Sequence, residues 1–368
     1  MARNRKTAGA IIEKDGKFLL VKRNNTKTFE GYWGLPGGNL EEGENFEDAV
    51  KREIKEEVNL DFYPVPFRKY AEDFPQFSWK ATAGFFFGKT NGNVKINGES
   101  SEFGWFLPRE IKKMELAFNH KKIMEDFMEQ KSKKILPKIF NSKILEARKI
   151  SSDIKYIKFS VPGEFEFTPG QYLSVSRISD GKKLRTPYSI ASSPGKGFAE
   201  FFIRIIDVGK ASSYMGNLKK GDEIELFGPA GKFVIEESSK RKDLFFISNG
   251  TGITAFLSMI SSVLEEGFGK KIILLAGFRN ENEILCEKRL INLGKKFPNL
   301  EIHNVLSKPE NGDYADVGYV QDFLEKHLPK NFKGDFYLCG LKGMIDEIKA
   351  KLAKKGVKEE RIFYEKYN

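Results

Sequence analysis

The hydrophobic pattern of this 368-residue chain changes period along its length, and no single layered core can follow the changes. From about Lys143 to Val234, short alternating stretches such as YIKFSV, QYLSVS, AEFFIRI and DEIELF are separated by PG, DG and KG turns. That is the rhythm of an antiparallel barrel, with room for one helix. From about Asp243, continuous apolar strands such as LFFIS and KIILLAGF alternate with amphipathic helices, which predicts a parallel sheet covered on both faces. Ahead of the barrel, the segment EQKSKKILPKIFNSK, residues 129 to 143, turns from a helical pattern over His120 to Gln130 into lysines and Pro137. It reads as a linker. The expected domains are therefore 1–130, a linker over 131–142, a barrel over 143–236 and a parallel α/β domain over 237–368.

Composition narrows the classes. A hydrophobic fraction of 40% and a charged fraction of 31% describe a chain that buries real cores and is not disordered. No apolar run approaches a membrane span, and the opening MARNRKTAGAIIEKDGKF lacks the apolar stretch of a signal peptide, so the expected compartment is the cytoplasm, with no membrane partner. Cys286 and Cys339 are the only cysteines, too few for a disulfide framework or a four-cysteine cluster. One-electron chemistry would need an organic cofactor or a partner. The formal charge of +11 is scattered over helical patterns and not gathered into a basic stripe, which suits solubility and small anionic nucleotides better than nucleic acid.

The sequence GLPGGNLEEGENFEDAVKREIKEEVNL places a glycine-rich turn before a helix starting near Asn45. At 100° per residue, Phe46, Ala49, Val50, Glu53, Ile54 and Glu57 share one stripe, while Asp48, Lys51 and Lys55 lie opposite. Carboxylates drawn into an apolar stripe need compensation, and a hard cation such as Mg²⁺ with oxygen ligands supplies it. The array Gly38, Glu44, Arg52, Glu53, Ile54, Glu56, Glu57, Asn59, Leu60 resembles the Nudix box. Asn59 stands where the family usually has glycine, and asparagine tolerates the same left-handed backbone. The resemblance covers roughly residues 5 to 130. It implies Mg²⁺-dependent hydrolysis of a nucleoside diphosphate linked to another group, with Glu53, Glu56, Glu57 and Glu99 as metal ligands and Glu53 or Glu99 as the base. Glu102 rivals Glu99, and Arg52 is expected to orient Glu53. In LAFNHKKI, Asn119 is either a base reader or an ordinary helix cap.

In the barrel, FEFTPGQYLSV, RTPYSIAS, VGKASSYM and GDEIELFGPAGKF follow in an order that resembles the FAD-binding barrel of the ferredoxin reductase family. The resemblance implies that Arg185 holds the FAD diphosphate, Tyr188 stacks on the isoalloxazine and Ser189 reaches the flavin's N5 region, with Gly209 and Ser212 at a helix start facing the diphosphate. Beyond it, LFFIS runs into NGTGITAF, where Gly250, Thr251 and Gly252 form a strand-to-helix turn suited to phosphate. The second strand ends in Gly277, Phe278 and Arg279 without the acidic residue of the dehydrogenase fold, in keeping with the ferredoxin reductase variant. YLCGLKGM and the closing FYEKYN resemble that family's segments near nicotinamide and flavin, making Cys339, Gly340 and Glu365 candidates to bind the cofactor or guide hydride transfer. Arg279, Ser307 and Lys308 are candidates for a 2′-phosphate, and the choice between NADH and NADPH stays open.

The expected fold is thus a Nudix α/β/α sandwich, an antiparallel FAD-binding β-barrel and a parallel α/β domain. Three functional readings follow. The chain is a bifunctional hydrolase and FAD-dependent NAD(P)H oxidoreductase. Alternatively, its Nudix domain senses a nucleotide and tunes the reductase. In the third reading the reductase feeds a separate flavodoxin, ferredoxin or oxygenase.

Overall fold

The computed structural model describes residues 5–132, 136–179, 181–205, 210–311 and 314–367. The chain divides into two compact units, Met1–Lys138 and Ile139–Asn368.

The first unit is built on β1 (Arg5–Lys14), β2 (Lys17–Arg23), β3 (Trp33–Gly34), β4 (Gly37–Asn39), β5 (Asp61–Phe74), β6 (Trp79–Asn91) and β7 (Ser100–Phe106), with helices α1 (Phe46–Val58), α2 (Pro108–Ile111) and α3 (His120–Ser132). The strand order is β3-β2-β1-β6-β5, with β4 paired to β1 and β7 to β2. Only period-two alternation can serve two cores from one strand. In β1, Ala8, Ala10 and Ile12 join the core that holds Ala49, Val50, Ile54 and Val58 of α1, whereas Ile11 joins the opposite core with Ile123 and Phe127 of α3. The result is the expected α/β/α sandwich.

Asn45 caps α1, its Oδ1 accepting from the Glu47 and Asp48 amides at 2.9 and 3.0 Å. Asn59 ends the helix with φ 55° and ψ 31°, the left-handed conformation for which it was the tolerated substitute for glycine.

The second unit begins with a six-stranded antiparallel sheet of β8 (Lys138–Lys149), β9 (Ile154–Ser160), β10 (Tyr172–Ser179), β11 (Lys182–Ser189), β12 (Phe198–Arg204) and β13 (Glu223–Ala230), in the order β11-β10-β13-β8-β9-β12. One helix, α4 (Lys210–Asn217), follows β12. Gly209 lies outside the described residues. Ser212 falls inside the first turns of α4, not ahead of the helix, and its side chain is outside the described set.

The parallel sheet comprises β14 (Leu244–Asn249), β15 (Ile272–Phe278), β16 (Leu300–Leu306), β17 (Asp335–Leu341) and β18 (Ile362–Tyr367), ordered β16-β15-β14-β17-β18. Its helices are α5 (Ile253–Glu265), α6 (Glu287–Lys296), α7 (Leu324–His327) and α8 (Lys342–Lys354). Buried cores lie on both faces: Phe246, Leu274 and Tyr337 point to α5, and Phe245, Leu275 and Leu338 point to α8. The order reverses between β14 and β17, so a crevice opens at their carboxyl ends, where such sheets take ligands.

Replacing Asn59 tests the α1 terminus. Asn59→Val forces a β-branched residue into a left-handed backbone and is expected to lower the stability of the first unit by roughly 1–2 kcal/mol in urea unfolding. Asn59→Gly should change it far less; equal losses in the two variants would show that backbone conformation is not what selects Asn59.

Candidate functional sites

The first site grows from α1. The burial of its apolar stripe draws Glu53 and Glu57 half out of water, and burial raises both carboxyls above the ordinary range. Glu57 is compensated by the Gly37 amide, which donates to Oε2 at 2.8 Å, and by the Ser100 hydroxyl, which donates to Oε1 at 2.9 Å. Glu53 lies hard against the glycine turn. A Cβ on Gly38 would stand 2.3 Å from Glu53 Oε2, so a side chain there would push the Glu53 carboxylate from its place.

Arg52 organises the acids around it. Its guanidinium grips Glu44 through Nε at 3.1 Å and Nη2 at 2.9 Å, while Nη1 donates to Glu53 Oε1 and to Glu56 Oε2, both at 3.0 Å. Nη2 also donates to the Asn39 carbonyl at 2.9 Å. The fork holds Glu44 below the ordinary carboxylate range and fixes Glu53 Oε1 by a hydrogen bond. Glu56 is exposed.

Glu99 is exposed and near enough to raise Glu53 further. Glu102 instead pairs with Lys22 at 2.7 Å on exposed strand surface. Of the two rivals, Glu99 is the one whose charge acts on Glu53.

The donor set fits Mg²⁺ in chemistry, with oxygens alone and Glu53, Glu56 and Glu57 at i, i+3 and i+4 on a helix. Among the described residues no group of three His, Cys, Asp or Glu side chains is already gathered around an ion-sized point. Arg52 supplies the counter-charge to Glu53 and Glu56 in this arrangement.

A residue that sequence reading missed is Arg23 at the end of β2. Its Nε donates to the Thr28 carbonyl at 3.1 Å, its guanidinium lies 5.0 Å over the Phe118 ring, and burial lowers its pKa while Glu57, Glu99 and Glu72 oppose that shift. Nothing in KRNN marks it, because its value comes from acids distant in sequence. Asn119 does not cap α3 with its side chain. Its carbonyl accepts from Ile123 at 3.0 Å, and its amide Nδ2 turns to the Ala71 carbonyl at 3.4 Å.

The second site gathers residues from β11, β17 and β18. Ser189 Oγ and Tyr367 Oη are 2.8 Å apart. Cys339 is fully buried and paired in register with Glu365. Burial raises the Cys339 thiol far above its usual value, and the Tyr367 hydroxyl is its hydrogen-bond neighbour, so the sulfur stays a neutral thiol. Burial pushes Glu365 up to about 7, with a hydrogen bond from Ser189 opposing it. Tyr367 is the member that sequence reading left unnamed, although it stands in the closing acidic-aromatic segment.

Beside this group, Gly250–Gly252 form a tight 3-10 turn leading into α5, and the Ile253 amide at the start of α5 donates back to the Gly250 and Thr251 carbonyls. Thr251 uses its carbonyl to accept from Thr254 Oγ1 at 2.7 Å. A Cβ on Gly252 would stand 2.3 Å from the Cys339 carbonyl oxygen, and one on Gly340 would stand 1.9 Å from Asn249 Oδ1. The two segments at the crevice therefore touch backbone to backbone. Arg204 lies next to Gly250 and joins Glu283 at 2.8 Å and Asp153. At the ends of β15 and β16, the Ser307 amide donates to the Phe278 carbonyl at 3.0 Å and the Lys308 amide to the Arg279 carbonyl at 2.7 Å, which brings the three 2′-phosphate candidates side by side.

Pleating separates Arg185 from Tyr188. In the β10–β11 register, Arg185 opposes Ser176 and Tyr188 opposes Leu173, so they stand on opposite faces. Arg185 lies 5.3 Å over Phe227, whereas Tyr188 packs on Phe201 at 5.5 Å. The cation that acts on the Tyr188 hydroxyl, which burial pushes up to about 12, is Arg177.

Comparison with known proteins agrees with both halves. Residues 3–127 match the NUDIX domain, 141–235 the Oxidoreductase FAD-binding domain and 246–350 the Oxidoreductase NAD-binding domain. NADH-cytochrome b5 reductase 1 of Dictyostelium discoideum is 30% identical over 221 residues, which cover 58% of this chain and 77% of that protein. The chain is a Nudix domain followed by a ferredoxin reductase-type oxidoreductase.

The ferredoxin–NAD(P)⁺ reductase component of the naphthalene 1,2-dioxygenase/salicylate 5-hydroxylase systems of a Ralstonia species is 31% identical over 206 residues, 56% of this chain and 62% of that protein, so the chain spans less than two thirds of it. Ferredoxin-NADP⁺ reductase from Plasmodium falciparum superposes with a TM-score of 0.54 at 26% identity, over 62% of this chain and 96% of that one. This Nudix–reductase chain is therefore an enzyme, with domains for FAD and a nicotinamide dinucleotide. None of its described helices is long and apolar enough to cross a membrane.

Glu365 gives a pH signature. Its folded value of about 7 lies above the ordinary 4.5, so between these values the folded state binds more protons than the unfolded one. Stability should fall as pH rises through that window, and Glu365→Gln should flatten the difference. A variant whose stability follows the parent's across the window would place the Glu365 carboxyl in water.

Proposed function

We propose that the chain is a bifunctional enzyme, in which residues 139–368 oxidise NAD(P)H through FAD and pass electrons to a separate redox protein, and residues 1–138 cleave an ADP-linked diphosphate with Mg²⁺. The observation that carries the reductase reading is the convergence of Ser189, Cys339, Glu365 and Tyr367 at the mouth of the β14–β17 crevice. FAD, when bound, supplies the two-electron acceptor for hydride and releases electrons singly.

The chain's own residues bind, orient and shield. The Gly250–Gly252 turn would hold the dinucleotide's diphosphate through its own backbone amides. Arg177 or Arg185 pairs with the FAD diphosphate, and Tyr188 offers its ring to the isoalloxazine. Ser189 would face the flavin edge that receives hydride, exchanging its hydroxyl proton between Glu365 and the flavin, and the neutral Cys339 thiol would border the nicotinamide without an anionic charge that would trap the cation formed. Glu365, titrating near neutrality, holds or releases a proton beside Ser189. The relatives named as dioxygenase reductase components support a ferredoxin or oxygenase as acceptor.

For the hydrolase, the carrying observation is the α1 set of Glu53, Glu56 and Glu57 with Glu99 facing it. These carboxylates would hold Mg²⁺, which neutralises a diphosphate and acidifies water. Glu53 or Glu99 takes the proton of the attacking water. Arg52 sets the Glu53 orientation, and Glu57 is fixed by Gly37 and Ser100 as a ligand rather than a mobile base. The substrate class follows from the fusion: FAD, NAD(P)H and ADP-ribose share the ADP-linked diphosphate that the reductase half also handles.

Two measurements test the halves separately. Purified protein incubated with Mg²⁺ and ADP-ribose, NADH or FAD should release AMP, and Glu57→Gln should reduce that rate by at least about a hundredfold, the scale of losing a metal ligand. Release by neither protein, with every substrate intact, would leave the nucleotide-sensing reading in its place. Ser189→Ala should slow flavin reduction by NAD(P)H by about tenfold or more while leaving FAD content unchanged; an unchanged reduction rate would remove Ser189 from the hydride path.

A further inference from the structure

Glu53, Glu56 and Glu57 share one helix, whereas Glu99 comes from the segment between β6 and β7 and has to be brought to them. That segment lies as a strap across the C-terminal end of α1. Val94 and Ile96 turn inward and pack on the core that holds Ile54, Val58 and Leu60. The alternate residues turn their backbone to the helix, the Lys95 amide donating to the Val58 carbonyl at 3.1 Å and the Asn97 amide to the Glu57 carbonyl at 3.2 Å. A helix end leaves such carbonyls without an intrahelical partner, so the strap completes α1 as it crosses it.

Asn97, half-buried at the end of the strap, has two further partners. Its carbonyl accepts from the Ser100 amide at 3.4 Å, closing a turn, and its side-chain Oδ1 accepts from the Glu99 amide at 3.0 Å. On the other side of Glu99, the Asn24 amide donates to the Glu99 carbonyl at 2.8 Å. Ser100, next along the chain, donates its hydroxyl to Glu57 Oε1 at 2.9 Å. Glu57 is thus tied to this turn through its backbone and through its carboxylate. Any residue at position 97 could make the two main-chain bonds. Only one with a short side-chain acceptor reaches the amide two residues on. Glu99 is exposed, and its charge acts on Glu53, so mutual repulsion would carry a loosely held turn away from α1.

We propose that Asn97 is a positioning residue of the first unit's cation site: its Oδ1 fixes the Glu99 backbone so that the Glu99 carboxylate joins Glu53, Glu56 and Glu57 around a divalent ion. The assignment rests on the hydrolase reading, which supplies the ion and the part of Glu99 in holding it, and deepens that reading by naming what sets Glu99 in place.

Asn97→Ala removes Oδ1 and leaves both main-chain bonds, so the fold should be kept, and Asn97→Ser returns an uncharged acceptor close to the same place. Two readouts are taken on the full chain. Without metal, amide exchange followed by NMR should show the Glu99 N–H exchanging up to about tenfold faster in Asn97→Ala and near the parent's rate in Asn97→Ser. With Mn²⁺ as the probe and the free ion followed by electron paramagnetic resonance, Asn97→Ala should bind about tenfold more weakly, and Asn97→Ser should recover most of that loss. Asn97→Ala joined to Glu99→Gln should bind no more weakly than Glu99→Gln alone, because Asn97 acts through Glu99. Glu57→Gln is the control for the hydrolase reading. If the parent takes up Mn²⁺ and Glu57→Gln loses it, while Asn97→Ala keeps the parent's affinity or the parent's Glu99 exchange rate, the assignment is overturned and the hydrolase reading stands. Losses that add in the double variant overturn it as well, since a side chain that only stabilises the fold acts independently of Glu99. A parent that takes up no Mn²⁺ removes the metal reading and this assignment together.

Discussion

A carboxylate taken out of water must be given donors or a proton, and this constraint shapes both halves of the chain. Glu57 is half-buried and receives a backbone amide and a hydroxyl. Glu53 is half-buried and receives Arg52. Glu365 is half-buried, and its desolvation, opposed by the Ser189 hydroxyl, pushes it up to about 7. The three solutions differ: Glu57 is held by donors on both oxygens, Glu53 is oriented by a guanidinium, and Glu365 has its carboxyl pushed up to about 7.

The scaffolds that create these burials differ. In the first unit, one helix lies across a mixed sheet and its apolar stripe carries the acids inward, while glycines at 37 and 38 let the neighbouring turn pass at backbone distance. In the second unit, a reversal of strand order leaves a crevice, and Gly252 and Gly340 let the two crevice walls touch. The closing strand β18 then carries Glu365 and Tyr367 to Cys339 and to Ser189 at the end of β11. Its terminal position in sequence conceals how central it is.

What could be read from residues alone was the local grammar. The Glu53, Glu56 and Glu57 spacing and its Arg52 are properties of one helix, so a helical wheel exposes them. Asn45 and Asn59 at the ends of α1 follow from capping chemistry, and the Gly250–Gly252 turn from its place between an apolar strand and an apolar helix. Arg23, Arg177 and Tyr367 were not legible, because each acquires its meaning from partners many residues away. Arg185 was singled out by its nearness to Tyr188 in sequence, yet pleating turns the two to opposite faces.

The sequence by itself determined the order of elements, the Nudix and reductase families and the glycine turn ahead of α5, because these depend on periodicity and on residues within a turn or two of each other. Only the tertiary structure decided which charges are buried, which cation faces which ring, and that Ser189, Cys339, Glu365 and Tyr367 share one place. Desolvation and hydrogen-bond geometry are set by what the fold packs against a side chain, and no property of that residue's own neighbours in the chain specifies them.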